Sequence, residues 1–233
     1  MSVLSNSPAV LKFPILCYVT DRRSLSDAAP SANSAALVEK IATLAAAGVD
    51  WIQIREKDLP VKQLAALVRE ALRCTRAQAG TDPRSTRILV NDRVDVALTE
   101  GAAGVHLGES SLPVHEVKRL IRSGVSSRDF LCGVSCHSLE GVKSAAAGGA
   151  DYLFFGPIFA TPSKAAFGEP QGVARLAKIC GSLAIPVLAI GGITLENAGA
   201  CFRAGAAGIA AIRLFQEASE PAAVMEALRE RAR

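Results

Sequence analysis

Eight times along this 233-residue chain, a short apolar run rich in β-branched residues gives way to polar or glycine residues and then to an Ala/Leu-rich helical pattern. The strand-like runs are 15–20, 50–56, 87–91, 104–107, 130–135, 151–156, 186–190 and 208–213, with helical patterns between them such as 35–47, 60–78, 138–147 and 195–204. Four strands follow a glycine that fits a left-handed helix stop: Gly48, Gly101, Gly149 and Gly205. Alternating strand and helix signals imply parallel strands joined by crossover helices. Eight units of about 29 residues predict a single-domain α/β fold, the (β/α)8 TIM barrel. A doubly wound sheet is the alternative, but no Gly-x-Gly-x-x-Gly follows the first strand. The reading assigns residues 1–14 to an N-terminal tail and 15–233 to the barrel.

Charge and composition exclude several function classes. Lys and Arg number 26 against 22 Asp and Glu, a net charge of +4 with no basic block, so no nucleic-acid surface is expected. No apolar run reaches about 18 residues, so no membrane partner is expected either. The first residues lack the apolar core of a secretory leader. The six cysteines form no Cys-x-x-Cys pair and several sit in apolar runs, which suits buried, reduced thiols in a cytoplasmic protein. A metal site built from Cys132, Cys136 and His137 is the competing reading of three of these residues. A homo-oligomer is left open.

Barrels of this kind place their chemistry at the C-terminal ends of the strands. There the chain carries Thr20-Asp21-Arg22, Asn91-Asp92, His106 followed by Gly108-Glu109, Ser135, His137, Gly191-Gly192 and Arg213. The densest cluster is Trp51-Ile52-Gln53-Ile54-Arg55-Glu56-Lys57. Side chains alternate along a strand, so Gln53, Arg55 and Lys57 share one face and Glu56 the other. Two cations at the end of a buried strand need an anionic partner, and phosphate is the commonest one that arrives from solution. Gly191-Gly192 offers backbone N–H groups with no Cβ in the way, at a place where barrels often bind phosphate. The long segment 157–172, with Thr161, Ser163 and Lys164, reads as a lid or as a passive excursion. Each polar residue alone has a plainer role. Asn91-Asp92 could cap a helix, His106 could be a hydrogen-bonded core histidine, Ser135 and Ser138 could be N-caps, and Arg213 could lie on the surface.

Six ordered motifs resemble the thiamine phosphate synthase family over roughly residues 15–215: Gln53-Ile-Arg-Glu-Lys57, Asn91-Asp-Arg-Val-Asp95, Gly104-Val-His-Leu-Gly108, Gly133-Val-Ser-Cys-His137, Gly156-Pro through Ser163-Lys164, and Ala189-Ile-Gly-Gly-Ile193. The resemblance implies joining an aminopyrimidine methyl diphosphate to a thiazole phosphate, with release of diphosphate. It further implies that Arg55, Lys57, Asn91 and Lys164 hold the diphosphate, with Arg55, Lys57 and Lys164 stabilising the leaving group. Gln53 and Ser135 would meet the pyrimidine, and Asp92 would hold Mg2+. Thr161, Ser163, Gly191 and Gly192 would bind the thiazole phosphate, near Ile212 and Arg213. Two positions depart from the family pattern. Ser111 stands where a second acidic metal ligand is usual, leaving Glu109 as another carboxylate that could reach the ion, and Arg213 stands where a small serine is usual. A sister family, thiazole tautomerase, shares several motifs, but Pro157 occupies the place of its acid/base histidine. His106 or His137 would then have to serve as the base. A non-catalytic binder of the same precursors would keep the phosphate site and dispense with the metal.

Overall fold

The computed structural model describes residues 14–25, 30–79, 86–122, 129–161 and 169–233, so residues 1–13 of the expected tail lie outside the described part. The strands are β1 (Ile15–Val19), β2 (Trp51–Ile54), β3 (Arg87–Asn91), β4 (Gly104–Leu107), β5 (Leu131–Cys136), β6 (Tyr152–Phe155), β7 (Val187–Ile190) and β8 (Gly208–Ala211). They pair in sequence order into a closed barrel, and β8 returns parallel to β1. The helices are α1 (Pro30–Ala46), α2 (Val61–Ala79), α3 (Val94–Thr99), α4 (Val114–Leu120), α5 (Leu139–Ala147), α6 (Gly172–Gly181), α7 (Leu195–Arg203), α8 (Arg213–Gln216) and α9 (Pro221–Arg231). The predicted (β/α)8 barrel is therefore what the chain forms.

Period-two alternation sorts the side chains into two apolar sets. Ile52 and Ile54 join the large core between sheet and helices, while Trp51 joins Tyr152, Phe154 and Leu188 inside the barrel. Trp51 and Tyr152 meet edge to face with centroids 4.7 Å apart. Burying each large side chain contributes about 1.5–3 kcal/mol. The interior has room for these rings because β5 offers none opposite them: a Cβ on Gly133 would lie 2.0 Å from the Tyr152 ring.

The predicted helix stops are present, with left-handed φ values of 87° at Gly48, 71° at Gly101, 88° at Gly149 and 90° at Gly205. Two of them precede an aspartate that ties the N-terminal rim together. Asp50 accepts from the Leu16 N–H at 2.8 Å and Asp151 from the Cys132 N–H at 2.7 Å. Arg229 of α9 ion-pairs with Asp50, and Lys118 of α4 with Asp151. These two carboxylates are structural and sit at the end away from the expected chemistry.

Strands β1, β2, β6, β7 and β8 are shorter than the sequence patterns suggested, and for β2 and β8 the cause is a hydrogen bond. β2 ends at Ile54 because the Arg55 N–H leaves the ladder for the Thr20 side-chain oxygen, 2.9 Å away. Strict alternation therefore does not extend to Lys57, which lies in a turn. β8 ends at Ala211 because the Ile212 carbonyl accepts from the N–H groups of Phe215 and Gln216 and so begins α8. Arg213 is thus the first residue of a helix.

Replacing Gly133 by alanine is expected to destabilise the barrel by about 2–3 kcal/mol, because the new methyl group must displace a buried ring. Chemical denaturation of the purified variant measures this directly.

Candidate active site

At the C-terminal end of the barrel the polar residues are wired in sequence. Gln53 is buried inside β2, and its Nε2 donates to Asn91 Oδ1 at 2.9 Å. Asn91 in turn donates through Nδ2 to Asp92 Oδ2 at 2.9 Å. Asp92 Oδ1 accepts from the Gly108 N–H at 3.2 Å and from the Ser111 hydroxyl. The Gly108 N–H also reaches Ser111 Oγ at 2.7 Å. One continuous chain of hydrogen bonds therefore runs from β2 to the loop after β4 and aims a single carboxylate at the rim.

The backbone bends to make this possible. Asp92 has φ 60°, the one non-glycine residue in the left-handed region among the described residues. Aspartate tolerates that conformation better than most residues, at a cost of about 1 kcal/mol. The bend rules out the plainer role for Asn91-Asp92: the residue preceding α3 is Arg93, and no side chain caps that helix. Ser138, by contrast, is an N-cap and accepts from the Gly141 N–H at 3.0 Å.

A second chain crosses the barrel interior. His106 lies between the Tyr152 hydroxyl, 3.0 Å from Nδ1, and Ser135 Oγ, 2.9 Å from Nε2. Burial pushes the His106 pKa down to about 3, against the pull of Asp92 and with the help of Arg55. The ring is neutral and serves as a hydrogen-bonded core histidine that orients Ser135. His137 is also engaged, through Nδ1 to the Gly156 carbonyl oxygen.

Arg55 and Lys57 stand beside the first chain. Arg55 is half-buried and Lys57 exposed. Among the described residues neither cationic head is drawn into a hydrogen bond or ion pair, whereas the acids interleaved with them are. Glu56 accepts from Thr20 Oγ1 at 2.6 Å and from Arg22 Nη1 at 3.0 Å. Asp58 accepts both terminal nitrogens of Arg22 at 2.6 Å. The sequence reading noted Arg22 and Glu56 without pairing them. The available signal was an arginine at the end of β1 and two acids spaced two apart at the end of β2.

Gly191 and Gly192 have φ values of 95° and 66°. A Cβ on Gly191 would lie 2.6 Å from Pro157 Cα, and one on Gly192 would lie 2.6 Å from the Ala160 carbonyl oxygen. The pair is thus required by residues 157–160, the segment that follows β6, which adds to the phosphate reading a packing reason of its own. Backbone bonds from Gln171 to Pro157 (2.7 Å) and from Gly172 to Ile158 (3.1 Å) close the neck of the long segment before α6. Thr161 is the last described residue of its first limb, and Ser163 and Lys164 lie outside the described residues. Ile212 is half-buried against the barrel interior, and Arg213 is exposed beside it.

Among the described residues no three His, Cys, Asp or Glu side chains gather to hold a metal. The cysteine site considered from sequence does not form: Cys132 and Cys136 are buried thiols whose pKa values burial raises to about 12. Glu109 does not extend the Asp92 cluster. Its carboxylate accepts from the His137 N–H at 3.0 Å. All six cysteines are unpaired.

A family model described as thiamine monophosphate synthase matches residues 16–215. The chain belongs to that family. Among thiamine monophosphate synthase relatives, the thiamine-phosphate synthase of Roseiflexus castenholzii is 38% identical over 235 residues, covering 97% of this chain and 95% of the relative. That of Methanoculleus marisnigri is 41% identical over 192 residues, covering 82% and 86%. The solved thiamine phosphate pyrophosphorylase of Pyrococcus furiosus superposes with a TM-score of 0.75 at 32% identity, covering 94% of this chain and 95% of that one. In this family member, then, the wired carboxylate and the two unpaired cations lie at the barrel end where such folds carry their chemistry.

The depressed His106 pKa has a definite sign. The folded value lies below the unfolded one, near 6.5, so its contribution to stability is complete above pH 6.5 and is lost as pH falls toward 3. Ring carbon and nitrogen NMR shifts of His106 are expected to stay those of a neutral imidazole between pH 8 and 5. A titration midpoint near 6.5 would contradict the buried assignment.

Proposed function

We propose that this chain is a thiamine phosphate synthase that joins the aminopyrimidine methyl diphosphate to the thiazole phosphate and releases diphosphate. The observation that carries the reading is the Gln53–Asn91–Asp92–Ser111 chain, with Arg55 and Lys57 beside it and unpaired among the described residues. Arg55 and Lys57 meet the diphosphate and take up the charge that grows on it as the C–O bond breaks. The aminopyrimidine ring delocalises the positive charge left on its methylene carbon. Gln53 and Ser135 fix the pyrimidine, each already oriented by a hydrogen-bonded partner, Asn91 and His106. The thiazole nitrogen is the nucleophile, so no side chain has to be deprotonated. Gly191 and Gly192, with Thr161 and the adjoining Ile212 and Arg213, form the thiazole phosphate end. Ser163 and Lys164 would complete it and the diphosphate grip respectively.

The donor set at Asp92 fits Mg2+ better than a transition metal. Magnesium takes hard oxygen ligands, usually one or two carboxylates plus substrate phosphates and water. Asp92 supplies the carboxylate and Ser111 a hydroxyl, as in nucleotide sites that combine a serine or threonine hydroxyl with the phosphates. When bound, the ion would neutralise charge on the diphosphate.

The tautomerase reading needs a titratable base at this rim. Pro157 has none and His106 is buried with a pKa near 3, so the tautomerase reading would have to use Nε2 of His137, whose Nδ1 donates to the Gly156 carbonyl oxygen. The unpaired cysteines fit a reducing, cytoplasmic setting. No described helix is long and apolar enough to cross a membrane.

Purified protein given both substrates and Mg2+ is expected to form thiamine phosphate, and EDTA to stop it. Asp92→Asn, which keeps the left-handed tolerance and the size, is expected to lower kcat/KM by about two to three orders of magnitude without unfolding the barrel. Substrate binding with no product in wild type would favour the non-catalytic reading. Ser111→Asp is expected to tighten Mn2+ binding to the free protein about tenfold or more, read by electron paramagnetic resonance, because it adds a second carboxylate to the donor set.

A further inference from the structure

The run Arg55-Glu56-Lys57-Asp58 sums to zero charge, yet the structure does not let it neutralise itself. Both acids turn to the segment after β1: Arg22 binds the two of them, and Arg23 adds a second partner to Asp58 at 2.7 Å. Arg22 donates from Nη1 to Glu56 at 3.0 Å and forks onto both oxygens of Asp58 at 2.6 Å. Its backbone N–H adds a further bond to Glu56 at 3.1 Å. The Arg22 and Glu56 side chains are 5% and 2% exposed and Asp58 33%, so this is a mostly dry cluster in which charges act strongly. The Asp58 carboxyl is held well below the ordinary range, chiefly by the hydrogen bonds from Arg22. Arg22 Nε is buried and has no partner among the described residues, so the guanidinium is committed through its terminal nitrogens to the two acids.

We propose that Arg22 is a charge-sorting residue: by binding Glu56 and Asp58 it keeps their carboxylates off Arg55 and Lys57, leaving those two cations free for an incoming diphosphate. Glu56 adds a positional element. It holds Thr20, whose hydroxyl oxygen accepts the Arg55 N–H at 2.9 Å and so fixes where the first cation leaves the strand. Arg22 acts through these residues and is a positioning residue. The inference rests on the reading of Arg55 and Lys57 as diphosphate ligands.

A structural role alone also predicts that losing Arg22 does harm, since Arg22→Met would strand a buried glutamate. The test therefore uses Arg22→Met/Glu56→Gln, which replaces the buried pair by neutral side chains of similar size, an exchange proteins often accept, made in a chain that also carries Arg23→Met so that Asp58 keeps no second cation. Binding of inorganic diphosphate at constant Mg2+ is measured by calorimetry for wild type and for this triple variant, each with and without Asp58→Asn. In the wild-type background Asp58 is already balanced, so Asp58→Asn is expected to change affinity less than about twofold. In the triple variant the freed carboxylate opposes the ligand, and Asp58→Asn is expected to tighten binding about fivefold or more. The same effect in both backgrounds overturns charge sorting while leaving the diphosphate site intact. Failure of wild type to bind diphosphate at all overturns the site itself and the inference with it.

Discussion

Eight parallel strands closed on themselves have no wet face. Every strand residue lies either inside the barrel or against the helices, and both places demand apolar side chains. The Trp51, Tyr152 and Phe154 rings fill the first, and Ile52, Ile54 and their counterparts fill the second. A polar side chain within a strand is then tolerable only when it is hydrogen-bonded, and a charge only at the rim. The candidate site is what this constraint leaves over. Its members are Gln53 and His106, buried and hydrogen-bonded, and Asp92, Arg55 and Lys57 at the C-terminal mouth.

The buried partners explain how a rim made of strand ends can be rigid. Gln53 is held by Asn91, Asn91 orients Asp92, and Asp92 is closed from the other side by Gly108 and Ser111. His106 does the same for Ser135 from below, with Tyr152 behind it. Chemistry that proceeds by stabilising a departing anion needs such preorganisation more than it needs a titrating base.

Much of this was legible in the chain itself. Eight strand–helix alternations and four glycine stops point to parallel strands joined by crossovers, and the number of units favours a barrel over a doubly wound sheet. The Asn91-Asp92 and Gln53–Lys57 clusters fell at strand ends, where a barrel puts its chemistry. His106, set between two apolar residues, was already readable as a core histidine. Less legible was where order by alternation ceases. Thr20, the residue after β1, captures the Arg55 N–H and ends β2 before Lys57. Nor could spacing tell the rim aspartates apart. Asp50 and Asp151 bind backbone N–H groups at the far end of the barrel, while Asp92 faces the site.

The sequence by itself determined the number of strands, their parallel order and the end of the barrel at which charge collects, because hydrophobic period and glycine placement are local properties. It also determined the departure at Ser111. Only the tertiary structure decided which charges are spent and which are free. Arg22 lies 34 residues from Glu56 in sequence yet 3.0 Å away in space, so a run that reads as balanced becomes two paired acids and two open cations. Gly191-Gly192 likewise owes its composition to the backbone of residues 157–160. Both are contacts between distant segments, set by barrel closure, and no local pattern encodes them.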